Sequence, residues 1–134
     1  DKKEIAEIFE EIGTLLDLKG ENPFRVRAYY NAARTIETLQ QDLPTLAAEQ
    51  RLTDIKGIGK DLADKITEMV TTNRLKFHEE LKASLPAGLL DMLRIPGFGP
   101  KKTKAVYEKL KVDSSFRLGV QYVFPQYFVR VKRA

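Results

Sequence analysis

A chain of 134 residues can bury the core of one domain, or of two small ones, without a covalent staple. It holds no Cys and a single His, which excludes a disulfide framework, a thiolate metal centre and a histidine zinc site. A formal charge of +4, from 23 Lys and Arg against 19 Asp and Glu, permits a polyanionic partner without requiring one. The longest apolar runs, such as Val120 to Phe124, fall far short of the ~20 residues that a membrane-spanning helix needs. Asp1-Lys2-Lys3-Glu4 leads into an amphipathic helix rather than a signal peptide, so a cytoplasmic chain with no membrane partner is expected.

In chain order, Ile5, Ile8, Phe9, Ile12, Leu15 and Leu16 recur at helical spacing, and the periodicity predicts a helix over Lys3 to Leu18 that stops at Gly20. A second helix is predicted from Phe24 to Leu39, with Ala28, Ala32, Ala33, Ile36 and Leu39 facing inward. Asp42-Leu43-Pro44 breaks it, and Pro44 opens a short third helix. Leu52 to Ile55 leads into the turn Lys56-Gly57-Ile58-Gly59, followed by a helix from Lys60 to about Thr72 that buries Leu62, Ile66, Met69 and Val70. Phe77, Leu81 and Leu85 mark a further short helix. Leu89 to Arg94, the Pro96 to Gly99 turn and Pro100 to Leu110 then repeat the helix-turn-helix pattern. From Ser114 onward, β-branched and aromatic residues with Pro125 among them rule out one unbroken helix, leaving an irregular or partly extended tail. The expected division is 1–85, 86–113 and a tail at 114–134. The fold class is all-α, a helical bundle with two helix-hairpin-helix motifs.

Ile55-Lys56-Gly57-Ile58-Gly59-Lys60 and Ile95-Pro96-Gly97-Phe98-Gly99-Pro100 are two copies of one pattern, apolar-x-Gly-apolar-Gly-x. The first Gly can take positive φ, and the second has no Cβ to hold an anion away from the backbone. Ile58 or Phe98 would plug the hairpin's own core, leaving the first amides of the next helix to face a phosphate. Such contacts follow a nucleic-acid backbone and read no bases. Lys56, Lys60, Lys101, Lys102 and Lys104 would add affinity by counterion release. The bland alternative is a pair of tight helix-helix turns and nothing more.

Three segments carry a resemblance to a known family: Gly20-Glu21-Asn22-Pro23-Phe24-Arg25-Val26-Arg27-Ala28-Tyr29, Gly57-Ile58-Gly59 through Ala63-Asp64-Lys65-Ile66, and Ile95-Pro96-Gly97-Phe98-Gly99-Pro100-Lys101-Lys102. Over about Ile5 to Asp113 the chain resembles the amino-terminal, lyase-type region of family X DNA polymerases, in particular their bacterial branch. The resemblance implies a partner, gapped, nicked or abasic DNA, held at Arg25, Gly57, Ile58, Gly59, Lys60, Gly97, Phe98, Gly99, Lys101 and Lys102. It also implies a role for Lys65 as the amine that forms a Schiff base with an abasic sugar phosphate, with Tyr29 beside it. No cofactor is implied for DNA binding. A monovalent cation, Na or K, is implied at each hairpin, on the backbone carbonyls of Thr53, Ile55 and Ile58 and of Leu93, Ile95 and Phe98. Two positions depart from the polymerase beta type, where Phe24 replaces a histidine and Asp61 a lysine. Asp61 lies one helical turn before Lys65, in the favoured order for an i, i+4 ion pair that competes with nucleophilic use of the amine.

Polymerisation needs carboxylates that hold two metals at the reacting phosphates, and this chain offers no such cluster, so no polymerase activity is expected from it alone. Three readings stand: a monomeric phosphate-gripping module of a repair polymerase, a deoxyribose-phosphate lyase acting through Lys65, or a protein-interaction scaffold in DNA repair. His78, between polar neighbours, reads as a surface residue, and Tyr29 and Tyr30 as either stacking platforms or packing residues.

Overall fold

The computed structural model describes residues 1–110, and every element in them is helical. The tail at 114–134, and the end of the second hairpin region at 111–113, lie outside the described residues. The helices are α1 (Lys2–Leu18), α2 (Pro23–Thr38), α3 (Leu43–Ala48), α4 (Lys60–Thr72), α5 (Lys76–Ala83), α6 (Ala87–Leu93) and α7 (Pro100–Leu110), with a short 3-10 turn at Leu52–Asp54 before α4. The chain divides into two compact units at Glu79 and Glu80, inside α5, where the sequence pointed to a boundary after 85.

Local signals set the helix ends in the first unit. Asp1 caps α1 by accepting from the Lys3 amide at 3.3 Å. The helix closes where Gly20, at φ +75°, lets the Glu21 amide reach the Leu16 carbonyl and its own amide reach Asp17, both at 3.0 Å, the Schellman pair of bonds. Asn22 then caps α2, accepting from the Phe24 amide at 2.9 Å, with Pro23 in the first turn. Asp42 caps α3 through the amide and hydroxyl of Thr45, at 3.1 and 2.7 Å, and those bonds hold its carboxyl below the usual carboxylate value.

Apolar burial then packs α1 along α2, and α3 against α4. Phe9, Ile12, Leu15 and Leu16 of α1, Tyr29 and Ile36 of α2, Leu43 of α3 and Ile66 of α4 are among the fully buried side chains. The Phe9 and Tyr29 rings meet edge to face, centroids 5.5 Å apart. Two expected core positions of α2 differ. Ala28 is exposed and Leu39 half-buried, while Val26 and Tyr29 take the inward places. The buried stripe 26-29-32-33-36 covers an arc of about 120°, and positions 28 and 39 fall just past its edge. Ile8 and Val70 are likewise half-buried, and Ala63 is buried in α4. In the second unit Leu81, Leu85, Leu89, Met92, Ile95 and Phe98 are buried, and α6 packs on α7.

Gly13 lies close under α2, because a Cβ there would lie 2.9 Å from the Tyr30 ring. Tyr30 is also tied to α1 by a 3.0 Å hydrogen bond between its hydroxyl and that of Thr14, so it packs rather than standing free. Gly13→Ala gains about 1 kcal/mol of helix propensity but displaces a packed ring, at a cost of about 1–3 kcal/mol. We expect a lower melting temperature for Gly13→Ala by circular dichroism, and a higher one when the same change is made in a Tyr30→Ala background. Equal shifts in both backgrounds would contradict the packing assigned to this pair.

Candidate nucleic-acid interface

Each hairpin is built by one apolar side chain between two glycines. Ile55 and Ile58 are buried, which carries the chain inward on both sides of the turn, and Gly57 reverses it at φ +90°. The Ile58 amide closes the turn on the Ile55 carbonyl at 3.0 Å. The second copy repeats this, with Ile95 and Phe98 buried, Gly97 at φ +79° and the Phe98 amide 3.0 Å from the Ile95 carbonyl. The two copies of the sequence pattern thus share one backbone course.

The second glycine of each pair is different in kind. Gly59 sits at φ −84°, ψ −175°, an extended conformation open to any residue, and Gly99 is not among the positive-φ positions. A Cβ built on either would meet nothing within 4 Å. Neither backbone strain nor internal crowding calls for glycine there. Gly59 supplies no side-chain cap to α4, whose first helical bond runs from the Ala63 amide to the Gly59 carbonyl at 2.9 Å. In α7 the equivalent bond runs from Thr103 to Gly99 at 3.1 Å. The amides of Lys60, Asp61 and Leu62, and of Lys101 and Lys102, precede those bonds and lie at positive helix ends.

Electrostatically the two copies diverge. On α4, Lys60 is 3.3 Å from Asp64 and Lys65 is 2.8 Å from Asp61, so each lysine faces an acid one turn away. The exposed Lys60–Asp64 pair contributes little to stability, yet both pairs offset charge that would otherwise face a phosphate. At the second hairpin Lys101 is exposed, whereas Lys102 turns back and donates to the Gly97 carbonyl at 3.1 Å. Lys56 is exposed at the first turn.

Lys65, Tyr29 and Arg25 converge on the ring of Phe77, a residue that the sequence marked only as part of a short helix. The Lys65 ammonium lies 4.8 Å from the Phe77 centroid and the Arg25 guanidinium 5.3 Å from it, while Tyr29 stacks on Phe77 at 6.3 Å. The Lys65 side chain is only 14% exposed, although its partner Asp61 is 73% exposed. The Tyr29 hydroxyl is buried with no hydrogen-bond partner among the described residues. Arg25 also reaches Glu21 at 3.8 Å. His78, expected at the surface, is 12% exposed, with Nε2 3.4 Å from a Glu11 carboxylate oxygen of α1. Its place in the first full turn of α5 aims it at α1, which its polar neighbours in sequence concealed.

Phe24 was missed as a surface feature. It is 74% exposed, the one large apolar side chain so placed among the described residues, and the Arg27 guanidinium lies 4.8 Å over its ring. Its position off the 26-29-32-33-36 stripe and its flanking arginines were the available signals.

Among the described residues no group of three His, Asp or Glu side chains is placed to hold a metal ion. For a monovalent cation the relevant oxygens are the turn carbonyls. The Ile55 and Ile95 carbonyls accept the turn amides in both copies. At the first hairpin, positions 62 and 63 are Leu and Ala, whose side chains carry no donor. At the second, the Thr103 hydroxyl donates to the Phe98 carbonyl at 3.1 Å, so one oxygen of the expected set is already engaged.

No helix among the described residues is long and apolar enough to cross a membrane. Over 114 residues the chain is 35% identical to the DNA polymerase/3'-5' exonuclease PolX of Bacillus subtilis (strain 168), a match that takes in 85% of this chain. The chain covers 20% of that protein's length. The helix-hairpin-helix domain family matches residues 1–75, which contain the first hairpin and the Gly20 to Tyr29 segment, and the chain belongs to that family.

Proposed function

We propose that the chain binds DNA through backbone phosphates at its two hairpins, without reading sequence, and that its target is gapped or nicked DNA handled by a family X repair polymerase. The observation that carries this is the pair Gly59 and Gly99, glycines that neither conformation nor internal packing requires, each set where helix amides precede the first helical bond. A glycine with open space beyond it leaves room for a group from outside, and a phosphate matches the amides and the helix end in charge and geometry. Similarity to a DNA polymerase supports the same ligand. The exposed Phe24 under Arg27 favours interrupted over intact duplex, because an unpaired base offers a face to stack on and a paired base does not.

Gly59→Ala and Gly99→Ala test this directly. Both variants should keep their melting temperature. Each should lose about tenfold in affinity for gapped DNA, close to the ~1.5 kcal/mol of one hydrogen bond to a charged acceptor. Affinity should also fall steeply with salt and ignore base sequence, and Phe24→Ala should weaken gapped DNA more than intact duplex. Full affinity in both glycine variants would leave the hairpins as turns alone and favour the scaffold reading.

A second reading is carried by the convergence of Lys65, Tyr29 and Arg25 on Phe77. In it the Lys65 amine attacks the C1′ aldehyde of an incised abasic sugar and water leaves as the Schiff base forms. Loss of a C2′ proton then expels the 3′-phosphate, and hydrolysis returns the lysine. Borohydride reduction of the chain with incised abasic DNA should trap a covalent adduct that Lys65→Ala abolishes. An adduct that survives in Lys65→Ala, or none at all despite tight binding, rejects this reading and leaves the phosphate grip untouched.

A further inference from the structure

The water-facing side of α2 carries a line of its own. Counted at about 100° per residue, Phe24, Arg27, Asn31 and Arg34 fall within an arc of about 80°, directly opposite the buried stripe 26-29-32-33-36. All four are exposed, and Ala28 and Thr35 beside them are short. Phe24 stands at one end with the Arg27 guanidinium 4.8 Å over its ring. From Phe24 to Arg34 the line runs for about 15 Å, the length of about four stacked nucleotides of one strand.

The cations on this face are left without carboxylates. In the first unit Arg25, Arg51 and Arg74 each reach an acid, at 3.8, 3.2 and 2.6 Å. Arg27 and Arg34 pair with none among the described residues. The one acid of α2, Glu37, lies off the line, in a cleft that it shares with Lys2 and Asp42. By contrast, α1 exposes Glu4, Glu7 and Glu10. A guanidinium meets phosphate bidentately, an Asn amide both donates to and accepts from base edges, and a phenyl ring stacks on any base. Duplex DNA offers phosphates but no base faces, and a protein partner of ordinary composition calls for a larger apolar centre than one ring. Unpaired DNA offers phosphates, edges and faces together.

We propose that the outer face of α2 is a second DNA-contacting surface, a track for the unpaired strand of a gap. Phe24 stacks on one base, Arg27 and Arg34 meet phosphates of the strand, and Asn31 meets a base edge between them. The proposal rests on the DNA-binding reading and extends it beyond the hairpins. The glycine turns hold phosphates whether or not a strand is paired, whereas α2 responds to how much of it is unpaired. Affinity therefore rises with gap length until the track is filled.

The test measures, by fluorescence anisotropy, the affinity of the full chain for labelled duplexes of one sequence that are nicked, or gapped over more than the length of the track. The unaltered chain should bind the long gap about tenfold more tightly than the nick, the effect of stacking about one base on an aromatic ring. Arg27→Ala combined with Arg34→Ala should keep the melting temperature, because both side chains are exposed on one helix, and should lose that preference. On the long gap the slope of log affinity against log salt should also fall by about 1.4, two phosphates at ~0.7 each for a single strand, while on the nick it should stay the same. Arg74→Ala, which removes charge from an arginine already paired with Glu79, should leave the preference and the slope in place. A long gap bound no better than a nick, an equal loss on both DNAs in the double variant, or no loss in it at all overturns the proposal. Loss of affinity in Gly59→Ala and Gly99→Ala alongside any of those results leaves the hairpin grip standing. If instead the glycine variants bind both DNAs as tightly as the unaltered chain, the grip itself has failed.

Discussion

Burial of a single apolar residue between two glycines governs how each hairpin is made and what it can do. Ile58 and Phe98 reach the core only if the chain reverses one residue earlier, and that reversal needs the positive φ found at Gly57 and Gly97. Once the side chain is fixed inward, the next peptide units start a helix whose leading amides have no carbonyl of their own to bond. A structural need, filling the core under a turn, thereby generates an outward row of donors at the positive end of a helix. The second glycine then keeps that row accessible. In the phosphate-gripping reading, fold and anion recognition come from the same few residues, which is why the motif can recur later in the chain on otherwise different sequence.

Around this shared frame the electrostatics are not shared. The first hairpin lies beside two ion pairs along α4, Lys60 with Asp64 and Lys65 with Asp61, so under the proposed grip its attraction for phosphate would come more from oriented amides than from net charge. The second has Lys101 and Lys102 at the start of α7 with no acidic residue until Glu108. In a counterion-release picture the second contributes more of the salt dependence and the first more of the positioning. The cluster on Phe77 adds a separate chemistry to the first unit, where cations are gathered by an aromatic face instead of by carboxylates alone.

Much of this was legible in the residues themselves. Helix ends were marked by Gly20, Pro23, Pro44 and Gly59, because caps and breakers act locally and leave their chemistry in the sequence. The hairpins were legible because a plug between two glycines has few substitutes. Less visible were features that depend on which way a helix is rolled. Ala28 sits one step past the buried arc of α2, Phe24 lies off it altogether and is left in water, and His78 turns toward α1 despite polar neighbours. Phe77 reads as one more apolar residue until the fold brings Arg25, Tyr29 and Lys65 to its ring. Periodicity fixes a helical stripe to within a residue or so, and contacts among side chains from separate helices lie beyond its reach.

The most direct test of the central claim is an amide-resolved NMR titration of the chain with gapped DNA. The account predicts that the amides of Lys60, Asp61 and Leu62 and of Lys101 and Lys102 shift most, and shift alike for DNA of unrelated base sequence. Largest shifts on the acidic face of α1, or shifts that change with base sequence while these five amides stay still, would contradict it.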